Sequence, residues 1–243
     1  MNSPALSADQ PTRAPEERYQ FKPFIGSSHS WAATHFTGLP AATRVLDVGS
    51  GSGAMGAALR AHGVENLSAV EVSESARNHV AGIYRRVEAS LDPLRGEQFD
   101  LILLLDVLEH MSTPFESFAA IAALLAPGGK MLVSVPNIAH WSVRIPLLFG
   151  SFRYTDRGIL DRTHLQFFTR SRFIELLSSA PGVRIEELNA SIPPAEFALP
   201  RWMWDNELFR AASRARLAAA RLLPGIGAYQ HLGAVRRPPS AAP

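Results

Sequence analysis

After a short apolar run and Asp47, the chain reads VGSGSGAMG, with glycines at 49, 51 and 53 on alternate positions. Lacking a Cβ, glycine can take positive φ and bring bare backbone N–H groups close to a ligand. Gly51, Gly53 and Gly56 also satisfy the G-x-G-x-x-G spacing of dinucleotide sites. A pyrophosphate, however, is best held by amides with no negative charge beside them. Asp47 stands just ahead of the loop, where it suits a ligand carrying an ammonium group. Glu71 follows about 20 residues later, at the end of a second apolar run, where a carboxylate can accept both hydroxyls of a ribose. The pattern points to a ligand with an amino group and a ribose, with a dinucleotide as the competing reading.

Such a loop has to be carried on a strand and lead into a helix. Strands are expected at Arg44–Val48, Leu67–Val72, Tyr84–Val87, Asp100–Leu105 and Lys130–Val135, with helices at Ala54–Ala61, Glu74–Ala81 and Pro114–Leu125. Strands alternating with helices imply right-handed crossovers. A late pair, Val183–Leu188 and Tyr229–Arg236, adds an antiparallel edge. The expected fold class is α/β: a doubly wound, mostly parallel, Rossmann-like seven-stranded sheet with helices on both faces. Residues 18–236 form one domain, flanked by a disordered tail at 1–17 rich in Pro, Ala, Ser and Glu and a frayed tail at 237–243. In open α/β sheets ligands lie at the carboxyl ends of the strands, which is where the glycine loop falls.

Composition sets outer bounds. At 243 residues, 47% hydrophobic and 19% charged, the chain suits one sizeable soluble domain. No apolar run approaches the ~20 residues of a membrane span, and the first residues lack the apolar core of a secretory signal, so a cytoplasmic location is expected. The absence of cysteine excludes disulfides, thiol nucleophiles and thiolate zinc sites. The pI near 9.3 accompanies a net charge of only +2, and Lys22 and Lys130 are the only lysines. That arginine bias is no nucleic-acid footprint, and no nucleic-acid partner is expected.

Four segments in order, VLDVGSGSG, AVEVS, FDLILLLDVLEHM and LLAPGGKMLVSVPN, resemble the successive motifs of class I S-adenosylmethionine-dependent methyltransferases across residues 44–137. The resemblance implies that Asp47, with Gly49, Ser50, Gly51 and Gly53, holds the amino-acid moiety of S-adenosylmethionine (product S-adenosylhomocysteine). It further implies that Glu71 binds the ribose, that Val72 packs on the adenine, and that Asp106 and Val107 lie close to the methyl group. Where the family often has an acidic residue for the adenine amine, this chain has Ser90. Residues 136–177 and the segment YQFKPFIGSSHS also resemble a bacterial methyltransferase-23-type subgroup associated with glycosyltransferases and glycan biosynthesis. The function implied is methyl transfer to a small-molecule or glycan acceptor, more readily at oxygen than nitrogen, in cell-surface polysaccharide or secondary-metabolite synthesis. The segment after the fifth strand, about 138–170, is expected to form a lid over the acceptor.

Methyl transfer asks the protein to align the acceptor, exclude water and, for an oxygen acceptor, remove a proton. Histidine suits that last role near neutral pH. Of His29, His110, His140 and His164, we favour His164, beside Asp161 and Arg162 in the lid, ahead of His140, just past the fifth strand. Asp156, Asp161 and His164 also suggest an oxygen/nitrogen metal set, set aside because two Asp-Arg pairs carry their own counter-charges; no metal is assigned. Trp141, Phe152, Tyr154, Phe167 and Phe168 suit an acceptor pocket or core. Residues 202–223 read as one arginine-bearing amphipathic helix, docked on the domain or a dimer partner, or else peripheral to an anionic inner membrane. Two further readings are an NAD(P)-dependent oxidoreductase, which leaves Asp47 and the APGGK turn unexplained, and a non-catalytic methyltransferase-like partner module.

Overall fold

The structure, a computed structural model, describes residues 21, 22, 24–197 and 199–239. The expected tail at 1–17, the domain's first residues 18–20 and the end of the 237–243 tail lie outside these. In chain order the elements are α1 (Ser28–Thr34), β1 (Val45–Val48), α2 (Ala54–Ala61), β2 (Leu67–Val70), α3 (Glu74–Val80), β3 (Arg86–Glu88), β4 (Phe99–Leu105), α4 (Pro114–Ala122), β5 (Leu125–Pro136), α5 (Trp141–Leu148), α6 (Arg170–Ser179), β6 (Arg184–Ala190), α7 (Arg201–Trp204), α8 (Glu207–Leu222), α9 (Pro224–Gly227) and β7 (Gln230–Arg236).

The strands form one seven-stranded sheet in the order β3-β2-β1-β4-β5-β7-β6. β1 to β5 are parallel, while β7 runs antiparallel to both β5 and β6. The central strands are apolar on both faces, as a sheet covered by helices on each side requires. Alternate residues separate into two cores: Leu46, Ile102, Leu104 and Val133 pack with Phe118 and Phe173, and Val45, Leu101, Leu103 and Leu132 pack with Phe36, Met55 and Leu59.

Several boundaries differ from the sequence expectation. β2 stops at Val70, so Glu71 follows the strand, its N–H still donating to Glu88 O at 2.9 Å. The third strand starts at Arg86, because Tyr84 is buried and turned beneath the glycine loop. α4 ends at Ala122, and β5 already begins at Leu125. The APGG turn belongs to this long strand; a Cβ on Gly129 would sit 2.8 Å from Ala126 O and 2.9 Å from Phe99 O. The late pair is antiparallel, as expected, but β7 is inserted inside the sheet and β6 forms the edge.

The expected helix at 202–223 is broken at Asp205-Asn206, where the Asn206 side chain caps α8 by accepting from Phe209 N–H at 2.9 Å. α8 docks on β6 through Leu217 and Ala220 against Ala190, Ile192 and Ala228. Three of its arginines are engaged by the protein: Arg210 pairs with Glu207, Arg216 donates to Pro193 O and Arg221 donates to Asn189 Oδ1. Among the described residues no helix is long and apolar enough to cross a membrane.

Candidate functional site

Gly49, Gly51 and Gly53 all take positive φ, at 73°, 53° and 76°. Space is as restrictive as conformation: a Cβ on Gly49 would stand 2.6 Å from Val107 Cγ2, and one on Gly53 2.6 Å from Ile83 Cδ1. The loop thus turns sharply from β1 into α2, whose first amides have no intrahelical acceptor. Asp47 is buried at 4% exposure. Its Oδ2 accepts from the Tyr84 hydroxyl at 2.5 Å, and the same hydroxyl accepts from Gly56 N–H at 3.1 Å. Burial raises the Asp47 carboxyl to about 6, the Tyr84 bond opposing the shift and Glu71 adding to it. Asp47 therefore props the loop through Tyr84 near the carboxyl end of β1.

Glu71 is held at the carboxyl end of β2, its Oε2 accepting from Gly51 N–H and its Oε1 from Ser73 N–H, both at 2.9 Å. Each oxygen keeps a further lone pair for a hydroxyl. Next to it Val72 is 82% exposed, an apolar face beside the carboxylate. Ser90 is exposed in the turn after β3. Glycine amides, a fixed carboxylate and a bare apolar side chain form a cradle able to hold an adenosine-bearing ligand.

Across the crevice, Asp106 ends β4 in the left-handed region, φ 57°, the one non-glycine residue with positive φ among the described residues. Both of its oxygens are occupied: Ser134 Oγ donates to Oδ1 at 2.7 Å and Gln230 Nε2 to Oδ2 at 2.6 Å. This strained residue turns the chain into the 3-10 turn Leu108–His110. There Glu109 is 1% exposed, and neither carboxylate oxygen has a hydrogen-bond partner. Burial, with Asp106 and Asp161 nearby, raises its carboxyl well above the usual range. The Glu109 carbonyl accepts from Leu165 N–H at 2.8 Å and Gln166 N–H at 2.9 Å, tying the segment after α5 across the turn. That brings His164 to His110, with ring centroids 4.8 Å apart. Burial lowers the His164 pKa, and the Ile159 carbonyl beside it opposes the shift.

The four candidate histidines separate clearly. His140 is completely buried and caps α5, its Nδ1 meeting Ser142 Oγ at 2.7 Å. Burial lowers its pKa to about 4. Its Nε2 is buried without a hydrogen-bond partner, so the ring is closed off from solvent, whereas His164 is partly exposed. His29 on α1 is lowered to about 4 by burial and by Lys22, while Asp106 is near enough to oppose the shift. The metal set Asp156, Asp161 and His164 is not assembled: Asp156 pairs with Arg162 at 2.7 Å, and Asp161 accepts from Thr163. Sequence reasoning overlooked Tyr84, Ser134, Gln230 and the buried Glu109. Only Glu109 carried a signal, an acid following the apolar pair Val107-Leu108.

A model of the methyltransferase domain matches residues 18–184. The chain belongs to this family. Curated relatives include ubiquinone biosynthesis O-methyltransferases of Ruegeria pomeroyi, 31% identical over 58% of this chain and 60% of the relative, and of Coxiella burnetii, 33% identical over 59% and 64%. The chain thus spans less than two thirds of the length of these relatives. Among solved structures, a SAM-dependent methyltransferase from Archaeoglobus fulgidus superposes with a TM-score of 0.56 at 15% identity, covering 85% of this chain and 90% of that one. One from Mesorhizobium loti gives 0.55 at 19% identity, covering 87% and 99%. At such identities the likeness is one of fold, the doubly wound sheet described above. S-adenosylmethionine is the cofactor of this methyltransferase domain.

Proposed function

We propose that the protein transfers the methyl group of S-adenosylmethionine to a hydroxyl oxygen of a small acceptor. The observation that carries this reading is the crevice itself. A cofactor cradle of Gly49, Gly51, Gly53, Glu71 and Val72 lies at the ends of β1 and β2, and proton-accepting side chains gather after β4. The sulfonium of the bound cofactor supplies an already activated methyl group. In this reading Asp47 and the glycine amides hold the amino-acid end, Glu71 takes the ribose hydroxyls, and Ser90 and Val72 border the adenine. Asp106 and Val107 shape the methyl end. The segment 138–170 covers the acceptor, whose hydroxyl is activated at the cluster of Glu109, His110 and His164.

For the acceptor we favour a ring hydroxyl of the kind found on ubiquinone precursors. Two observations support it: the names of the relatives, and the apolar residues Trp141, Leu148 and Phe149, which are 51%, 82% and 85% exposed on the segment after β5. A glycan acceptor remains the reading drawn from the subgroup resemblance. A transfer assay with labelled cofactor over polyprenylated catechols, nucleotide sugars and lipid-linked glycans separates the two. His164→Ala is expected to lower turnover by about 10²-fold or more with little change in cofactor affinity. Unchanged turnover would remove the cluster from the reaction.

A further inference from the structure

The three side chains that converge after β4 have the chemistry of a metal site. One carboxylate oxygen of Glu109 and one ring nitrogen each of His110 and His164 all lie within 4.8 Å of one another. The two rings are held in the way metal-binding imidazoles usually are. His164 Nδ1 is 3.0 Å from Ile159 O, and His110 Nδ1 is 3.2 Å from Thr163 O. A carbonyl only accepts, so each Nδ1 carries the proton and each Nε2 keeps its lone pair for a ligand. Glu109, whose carboxylate completes the cluster, is buried with both oxygens unpartnered. A buried carboxylate in this state lacks a compensating donor or cation. Asp106 and Asp161 stand close enough to act on it electrostatically, so the surroundings favour a positive guest.

We propose that Glu109, His110 and His164 bind a divalent transition-metal ion. Two imidazole nitrogens and one carboxylate suit Zn²⁺, Mn²⁺ or Fe²⁺ rather than Mg²⁺ or Ca²⁺, which prefer all-oxygen shells. Three protein ligands leave coordination positions open. Two of the ligands come from the turn after β4 and the third from the segment after α5, so the ion joins that segment to the sheet, beside the backbone bonds from Leu165 and Gln166 to Glu109. Resting on the methyl-transfer reading, the open positions face the acceptor, and a coordinated hydroxyl ionises nearer neutral pH than a free one. His164 then acts as a ligand rather than by taking the proton itself.

The test is a titration of untagged, metal-stripped full-length protein with Co²⁺, read from its visible d–d absorption, followed by displacement with Zn²⁺. One saturable equivalent is expected, weakened at least tenfold by His164→Ala and by Glu109→Gln and left unchanged by His62→Ala. No saturable band, or equal affinity in the His164 and Glu109 variants, overturns the proposal. Cofactor binding to the stripped protein is measured alongside by calorimetry. Cofactor binding without Co²⁺ binding sinks the metal site and leaves the methyl-transfer reading standing. Co²⁺ binding without cofactor binding supports the metal site and sinks that reading.

Discussion

Asp47 shows how much one buried carboxyl can impose. The unfolded chain releases its proton near 3.8 and the folded chain near 6, so between these values the folded state binds more protons. Stability therefore falls as pH rises through this window, the loss being absent below about pH 4 and complete above about pH 6. At ~1.4 kcal/mol per tenfold change in proton affinity it amounts to about 3 kcal/mol. Urea unfolding of wild type and Asp47→Asn at pH 4 and pH 7 checks this: wild type should gain about 3 kcal/mol relative to the variant at the lower pH. A pH-independent difference would mean that Asp47 keeps its ordinary acidity. On the proposed reading, Glu71→Ala removes two charge-assisted hydrogen bonds to ribose, each worth about 1.5–3 kcal/mol. It should weaken cofactor binding more than tenfold, read by calorimetry, while the melting temperature of the free protein shows that the fold survives. Asp47 and Glu71 were legible because a carboxylate at a strand end announces itself by type and spacing. Tyr84 was not, since its hydroxyl serves a residue 37 positions away and its local sequence reads only as the start of a strand. Ser134 and Gln230 were hidden for the same reason: their partner Asp106 is reached only through the sheet.

At the scale of elements, the turn from β1 to α2 depends on Gly49. Alanine there meets both an unfavourable φ of 73° and a Cβ 2.6 Å from Val107 Cγ2. Strain of this kind costs about 1–3 kcal/mol, so Gly49→Ala should lower the midpoint of thermal unfolding, and adding Val107→Ala should recover part of the loss. Full recovery would show that contact alone, and not the backbone, requires glycine. α8 offers a second check. Ala220 is 2% exposed against β6, and Ala220→Leu should destabilise by about 1–3 kcal/mol through overpacking; a neutral effect would mean that α8 is only loosely attached. Elements with strong local patterns, such as Ala54–Ala61, were legible to the residue. The break at Asp205-Asn206 was missed because large apolar residues stand on both sides of it, while a side-chain cap at Asn206 restarts the helix. β7 was foreseen as a strand, but its place between β5 and β6 is set by pairings across the whole sheet.

The whole molecule is organised by the reversal of strand order beside β1. With β2 on one side and β4 on the other, the loops after all three strands open into one crevice, the usual ligand position in such sheets. That geometry draws Asp47, Glu71, Asp106, Glu109 and His164 from distant stretches of the chain to the same end of the sheet. A cavity of about 480 Å³ lined by Leu39, Asp100, Lys130 and Arg236 lies instead at the opposite, amino-terminal ends of the parallel strands. Because the site is spread over the fold, cofactor binding and folding should be linked. Cofactor at a hundredfold excess over its Kd should stabilise the protein by about 2.7 kcal/mol, raising the melting temperature by roughly 5–10 °C; no shift at saturation would mean that the ligand does not select the folded crevice. The measurement that bears most directly on the central claim is calorimetric titration of wild type and Glu71→Ala with S-adenosylmethionine, S-adenosylhomocysteine and NAD⁺. One micromolar site for the first two ligands, weakened more than tenfold in the variant and absent for NAD⁺, is the predicted result. Binding of NAD⁺, or silence with both S-adenosyl ligands, would contradict it.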